Sequence, residues 1–406
     1  MHTFDVTRAE SNYKGAVAED PNFTRAWLHL AVLYVGLGAT NDAISTLEKA
    51  VNSDPSLPIS HRILAFSLMS LNRSDRAMTA WLNLLKVVPD DRDAKANLGI
   101  LLLREKRYGD AIPYLEATAQ NYPSTEAQHR LGYAYLQAGQ IEKGSAALEK
   151  VIEADPTPQR LNNVAYELAE ANADLANALK YAQRAVSENE KKSGGVQLAK
   201  LQTEDLACTQ SIGNAWDTLG WVQFRLGHLD QAESYIHAAW LLSQASVVGD
   251  HLGQVYEQEK KTEKAIHVYR LALAVPEPPG GSRDETRQRL QNLTRTKIPT
   301  GLDRGGSGAE LSRLRSVKLK RVVAGSATAE FFLLFAPGPK VESVGFVSGS
   351  EKLKTAAISE LSQANFQIAF PEGSGAHLLR RAILACSSVS GCEAVLLTPD
   401  SVKSIK

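Results

Sequence analysis

Five prolines, Pro21, Pro55, Pro89, Pro123 and Pro156, follow one another at intervals of 34, 34, 34 and 33 residues. A sustained period of this length means a stack of like units, because one unit of that size cannot bury its apolar face alone. In the unit spanning residues 24–57, Trp27 takes position 4, Leu30 and Ala31 positions 7 and 8, and Tyr34 position 11. Gly38 follows at 15, Ala43 at 20, Leu47 at 24, Ala50 at 27 and Pro55 at 32. Positions 4, 7, 8 and 11 share one stripe of a first helix, and 20, 24 and 27 one stripe of a second. Small residues at 8 and 20 let the two helices approach. Gly38 fits the intervening turn, since glycine enters positive φ without steric cost. Pro55 stops the second helix, having no N–H and restricting the residue before it.

The pattern of Trp27, Leu30, Ala31, Tyr34, Gly38, Ala43, Leu47, Ala50 and Pro55 resembles the tetratricopeptide repeat (TPR). The resemblance implies a mainly α fold, a right-handed α-solenoid of helix-turn-helix repeats. The period lays these out as a half repeat at 1–23 and repeats at 24–57, 58–91, 92–124, 125–157 and 158–186. An insertion at 187–212 interrupts them, and repeats at 213–245 and 246–279 resume. Within the insertion the polar stretch Ser187 to Gly195 reads as an exposed loop, and Gln197 to Cys208 as a short extra helix. Ala9, Tyr13, Ala16 and Pro21 match the second half of a repeat, so the reading expects the protein to continue upstream of Met1. Pro276, Pro278, Pro279, Gly280 and Gly281 close the array. Residues 284–294 suit a polar capping helix.

Residues 295–310, with Gly301, Gly305, Gly306 and Gly308, read as a flexible linker. Beyond it the pattern changes to period two, and residues 311–406 form a small α+β domain. Strands are expected at 317–322, 329–335, 341–347, 379–386 and 393–397, with a helix over 351–364 and a short strand at 366–368. The combination resembles uncharacterised bacterial TPR proteins carrying such a tail.

Lysine plus arginine equals aspartate plus glutamate at 45 each, so the chain lacks the cationic surplus that phosphate binding needs. The basic run Arg313, Arg315, Lys318, Lys320 and Arg321 alternates with apolar residues and suits the wet face of an edge strand. No apolar run reaches the roughly 18 to 20 residues that span a bilayer. The nine histidines show no metal-ligand spacing, and no nucleophile elbow or phosphate loop appears. No motif calls for a cofactor, a metal or a small-molecule substrate. Cys386 and Cys392 bracket an expected turn at Ser387 to Gly391; a disulfide across the hairpin and a pair of buried thiols both fit, the former implying an oxidising compartment.

In TPR folds the first helix of each hairpin lines the concave surface, chiefly through positions 2, 5, 9, 12 and 13. Carried onto this chain, the resemblance implies a peptide groove formed by Arg62, Phe66, Arg104, His129, Tyr133, Asn162, Tyr166, Asp217, Trp221 and Phe224. Tyr133, Tyr166 and Trp221 suit packing between hairpins equally well. The Lys/Asn pair that opens the carboxylate-binding TPR groove is absent, and the groove offers aromatics for an extended or helical apolar segment. The implied role is non-catalytic: a scaffold or adaptor holding a peptide segment within a bacterial multiprotein assembly, in the cytoplasm or at the envelope. The alternative is the recognition part of a larger enzyme whose catalytic region precedes Met1.

Overall fold

The computed structural model describes residues 6–202, 204–276, 283–297, 306–320, 325–338, 340–387 and 391–399. Two compact units divide the chain after Ala154. The fold is mainly α, of solenoid type, with a small antiparallel sheet in the second unit.

The first unit holds nine helices among its described residues: α1 (Val6–Glu19), α2 (Thr24–Gly36), α3 (Thr40–Ser53), α4 (Pro58–Ser70), α5 (Ser74–Val87), α6 (Arg92–Arg104), α7 (Tyr108–Asn121), α8 (Thr125–Gln137) and α9 (Ile141–Ala154). Each helix packs on the next in sequence. A continuous core results, with Leu47, Ala65, Trp81, Leu98 and Leu115 almost wholly shielded from water. Asp91 caps α6 by accepting from the Ala94 amide at 2.9 Å, and Ser124 caps α8 through Ala127 at 3.1 Å. Pro58 opens α4, where its missing N–H removes no helical bond.

Two positions of the repeat carry the hairpin geometry. Position 8 is Ala31, Ala65, Gly99, Gly132, Ala165, Gly220 or Gly253 in the seven full repeats, always the smallest of side chains. A Cβ on Gly99 would stand 2.6 Å from the Leu115 side chain, and one on Gly253 would meet the Tyr269 ring at 2.1 Å. At these two hairpins the side chain at position 24 occupies the space that a Cβ at position 8 would need. Position 15 is Gly38, Asn72, Lys106, Gly139, Asn172, Gly227 or Lys260, and every one has φ between 50° and 84°. The left-handed turn is therefore general, whether or not a glycine supplies it.

The second unit continues with α10 (Pro158–Glu170), α11 (Leu175–Ser193), α12 (Asp205–Arg225), α13 (Leu229–Ser243), α14 (Ser246–Gln258), α15 (Thr262–Ala274), α16 (Asp284–Thr294) and α17 (Gly306–Arg315). Here the structure corrects the sequence reading of the insertion. The stretch read as a loop from Ser187 is the last turns of a 19-residue helix, supported by an Arg184–Glu188 pair at 2.7 Å and ended at Gly194. Instead of a separate helix at 197–208 there is a 3₁₀ turn at Leu198–Lys200, then the start of the 21-residue α12. A helix, α16, occupies residues 284–294, with Leu290 buried and Arg283 just before it donating to the Leu273 carbonyl at 2.8 Å. Part of the expected linker is helical, since α17 begins at Gly306; residues 298–305, the glycine-containing remainder, lie outside the described residues, as do Pro278, Pro279, Gly280 and Gly281.

The sheet comprises β1 (Ser316–Leu319), β2 (Ala327–Phe335), β3 (Val341–Gly349), β4 (Leu378–Ser387) and β5 (Gly391–Leu396), in the order β1-β5-β4-β2-β3, all antiparallel. No strand forms at 366–368; Phe366 instead fills the core, edge-on to Phe335. A helix, α18 (Glu351–Ser362), covers β2 and β3 with Leu353, Ala357 and Leu361. The other face, carrying Phe332, Leu334 and Leu379, packs on Val196 and Leu206 from the insertion. Cys386 and Cys392 pair across β4 and β5 and are disulfide-bonded; residues 388–390 of the expected turn lie outside the described residues. β1 is an edge strand with Lys318 exposed, whereas Arg313 and Arg315 belong to α17 and Arg321 lies outside the described residues.

Sheet and helices are joined by polar bonds as well. Glu190 of α11 accepts from the Trp216 indole at 3.1 Å, the Ser374 hydroxyl at 2.7 Å and the Gly375 amide at 3.1 Å. Thr209 of α12 donates to the Leu379 carbonyl at 2.9 Å, and Ser193 accepts from the His377 amide at 2.9 Å. The residues read as a spacer between repeats are therefore the seat of the sheet.

Candidate functional site on the first helices of the hairpins

On the first helix of each hairpin positions 7 and 8 turn inward and are buried, while some of positions 2, 9 and 12 stay in water. Large apolar side chains left in water mark those positions. In the first unit Val32 (position 9) and Val35 (position 12) are exposed on α2, and Ile59 (position 2) and Phe66 (position 9) on α4. In the second unit Val247 (position 2) is exposed on α14. Val32, Val35, Ile59 and Val247 were not singled out from sequence, although the same positional rule that gave Phe66 points to them.

The residues named from sequence divide by environment. Phe66 is 45% exposed and stands edge-on to the buried Trp81, ring centroids 4.9 Å apart. Tyr133 makes a similar edge contact with Tyr108 at 5.9 Å and is half-buried, as is His129. Arg104 is exposed. Arg62 donates to Asp91 and lies 3.6 Å from Asp93, which holds its guanidinium against the start of α6.

In the second unit Asn162, Tyr166 and Asp217 line a cleft of about 440 Å³ between α10, α12 and α14, together with Asn214 and Val247. The Asn162 Oδ1 is buried without a hydrogen-bond partner among the described residues, an acceptor suited to an incoming N–H. Two of the expected groove residues are interior. Trp221 is 4% exposed: its indole stacks between His251 at 4.2 Å and Phe224 at 4.9 Å, and donates to Glu170 at 2.7 Å. Asp217 is 7% exposed and accepts from His251 Nδ1 at 3.0 Å. For Trp221 this is the packing alternative that the sequence left open. A histidine on the neighbouring α14 covers the position that Phe66 leaves open on α4. Burial opposes charge on His251, yet Asp217, Asp250 and Glu170 outweigh it, so its pKa lies above the ordinary value. The cleft therefore rests on a buried His–Asp pair that fixes α12 against α14.

Among the described residues no group of His, Cys, Asp and Glu could hold a metal ion, and no helix is long and apolar enough to cross a membrane.

Tetratricopeptide-repeat models match residues 3–65, 64–125, 102–164 and 250–277. No curated protein matches the chain. Among solved structures it is similar to a tetratricopeptide repeat protein from Parabacteroides merdae, with 14% identity, 67% of this chain and 99% of that one covered, and a TM-score of 0.50. MamA from Desulfovibrio magneticus is similar at 23% identity over 43% of this chain and 97% of its own, with a TM-score of 0.37. YrrB, described as a TPR protein with an unusual peptide-binding site, is similar at 19% identity, over 43% of this chain and 91% of its own, with a TM-score of 0.38. The chain is a tetratricopeptide-repeat protein whose second unit also carries a small α+β region.

Proposed function

We propose that the chain is a protein-interaction scaffold in which each unit offers positions 2, 9 and 12 of its own first helices to an apolar peptide segment of a partner. The observation that carries this reading is that five of the ten exposed large apolar side chains among the described residues, Val32, Val35, Ile59, Phe66 and Val247, fall on those positions. Such side chains gain most from a partner that removes them from water. The cleft beside Asn162 and Tyr166 adds hydrogen-bonding groups to which an extended or helical backbone could be fixed. Membership of a multiprotein assembly follows as part of the same proposal.

A photo-crosslinking residue placed at Phe66 or Val247, with one at Leu82 as control, tests it. Leu82 is exposed and apolar but sits at position 25, on a second helix. The scaffold reading expects a partner captured from Phe66 and, in the other unit, from Val247, and none from Leu82. Equal capture at Leu82, or none at the two first-helix positions, would remove the groove as the working surface.

A further inference from the structure

On the first helices α2, α4 and α6 of the first unit, position 9 is Val32, Phe66 or Ile100 and position 12 is Val35, Met69 or Leu103. A stripe without a polar side chain thus recurs over three hairpins, and all six residues stay at least partly in water. Position 5 beside it is Leu28, Arg62 or Ala96, and the Arg62 guanidinium is already held by Asp91 and Asp93. These rows therefore offer no free side chain to pair with a peptide N–H or C=O. An extended segment laid there would take its backbone groups out of water and find no partner for them, whereas a helix brings them already bonded to one another. The cleft of the second unit differs, being lined by Asn162 and Asn214. Charge is also sorted within these hairpins. The first helices carry Arg25, Arg62, Arg92, Lys95 and Arg104 against one carboxylate, Asp93. The second helices, α3, α5 and α7, carry Asp42, Glu48, Asp75, Asp110 and Glu116 against Lys49, Arg76 and Lys86. Ion pairs occupy Arg62 and Lys95, and Arg92 lies over the Tyr122 ring, which leaves exposed Arg25 and Arg104 without a carboxylate among the described residues. Arg104 stands one turn beyond Ile100 and Arg25 two turns before Val32, on the face that bears the stripe.

We propose that the first unit takes an amphipathic helix of a partner protein, apolar along one face and acidic beside it. This rests on the scaffold reading of the first-helix positions and adds the conformation and the charge of the segment that covers them. Apolar side chains on successive turns of the partner helix meet Val32, Phe66 and Ile100, and its carboxylates meet Arg25 and Arg104. The uncompensated cations select that sign of charge over the opposite one and hasten encounter at low salt.

Fluorescence anisotropy of labelled peptides titrated with the full chain tests it. The probes are end-blocked and about sixteen residues long, enough for a helix to form. One has leucine at helical spacing with glutamate and alanine between; a second has lysine in place of glutamate; a third has the acidic composition interrupted by prolines, which forbid the helix. The acidic helical peptide should bind at least about tenfold more tightly than either of the others. Val32→Glu should weaken it at least about tenfold, and Arg104→Glu should narrow the preference for acidic over basic peptide by a similar factor. Both residues are exposed, so the melting temperature should not move and a folding defect is separable from a binding one. Equal binding of the helical and proline-interrupted acidic peptides, both weakened by Val32→Glu, would overturn the helix while leaving the surface in place. A preference for the basic peptide, no binding of the acidic one, or unaltered affinity in Val32→Glu would each overturn the assignment. Failure of the scaffold reading itself shows separately, as no capture from the photo-crosslinking residue at Phe66, and would remove this inference with it.

Discussion

At position 15 of every full repeat the backbone turns left-handed, and lysine occupies that place at Lys106 and Lys260. An L-residue with a long side chain holds this conformation at a cost of roughly 1–2 kcal/mol relative to glycine. Lys260→Gly should therefore raise the stability of the second unit by about 1 kcal/mol, read as a higher denaturant midpoint at unchanged slope. A lower midpoint would show that the Lys260 side chain earns more in contacts than its backbone loses. The buried His251–Asp217 pair gives a second residue-level expectation. A histidine whose folded pKa is raised stabilises fully below its unfolded value, near 6.5. That contribution fades as pH rises through the higher folded value. The second unit should accordingly lose stability as pH is taken upward from about 6.5. Asp217→Asn should flatten this dependence and cost about 3 kcal/mol at pH 6, since it leaves His251 buried without its counter-charge. A thermal melt series from pH 5 to pH 9 on both proteins reads both effects; parallel profiles would contradict the assignment.

At the scale of the element, α11 is the helix on which two kinds of structure meet. Its last turns carry Glu190, whose carboxylate serves the Trp216 indole and the loop of Ser374 and Gly375 together. Glu190→Ala removes three acceptor contacts, and bonds to a charged group are worth about 1.5–3 kcal/mol each when their partners are left unmet. Hydrogen exchange at Gly375 and His377 should speed up by at least about tenfold in this variant while α14 and α15 keep their protection. Uniform acceleration would mean that Glu190 supports the whole unit instead of the sheet's seat. The elements themselves were largely legible in sequence: the proline period, the small residue at position 8 and the return to period two each follow from local spacing. The seat of the sheet was not. Thr209 and Leu379 are 170 residues apart, and no periodicity records that one hydroxyl will meet the other's carbonyl. Helix-forming Glu188, Glu190, Lys191 and Lys192 resemble a solvated loop when their number and charge are weighed without the helix they extend. The exposure of the first-helix positions was half legible for a related reason. Position 9 predicts exposure equally for Phe66 and Trp221, and contacts from other residues, the ring of His251 on another helix among them, separate their fates.

Considered as a whole, the molecule joins two compact units with different kinds of internal economy. The first is a serial stack with one core running through it. The second folds repeats, insertion and sheet into a single body, with Val196 and Leu206 sealed beneath Phe332 and Leu379. A chain ending after Arg295 would leave that apolar seat open to water. Such a truncation should bind more of a hydrophobic dye and aggregate at concentrations where the full chain stays dispersed. An unchanged dye signal and melting temperature would show that the repeats of the second unit stand without the sheet.

The division also bears on how chains of this type can vary in length. In the first unit each hairpin touches chiefly its sequence neighbours, so one whole hairpin can be duplicated or lost and the remaining contacts close over the change. In the second, α11, α12 and the turn after α13 are all committed to one sheet or to α17 at fixed separations. Adding 34 residues there would carry half of those attachments out of reach. Insertion or deletion of a whole hairpin is therefore expected to be tolerated within residues 24–154 and not between 187 and 276, which makes the sheet a ratchet against rearrangement as much as a piece of architecture.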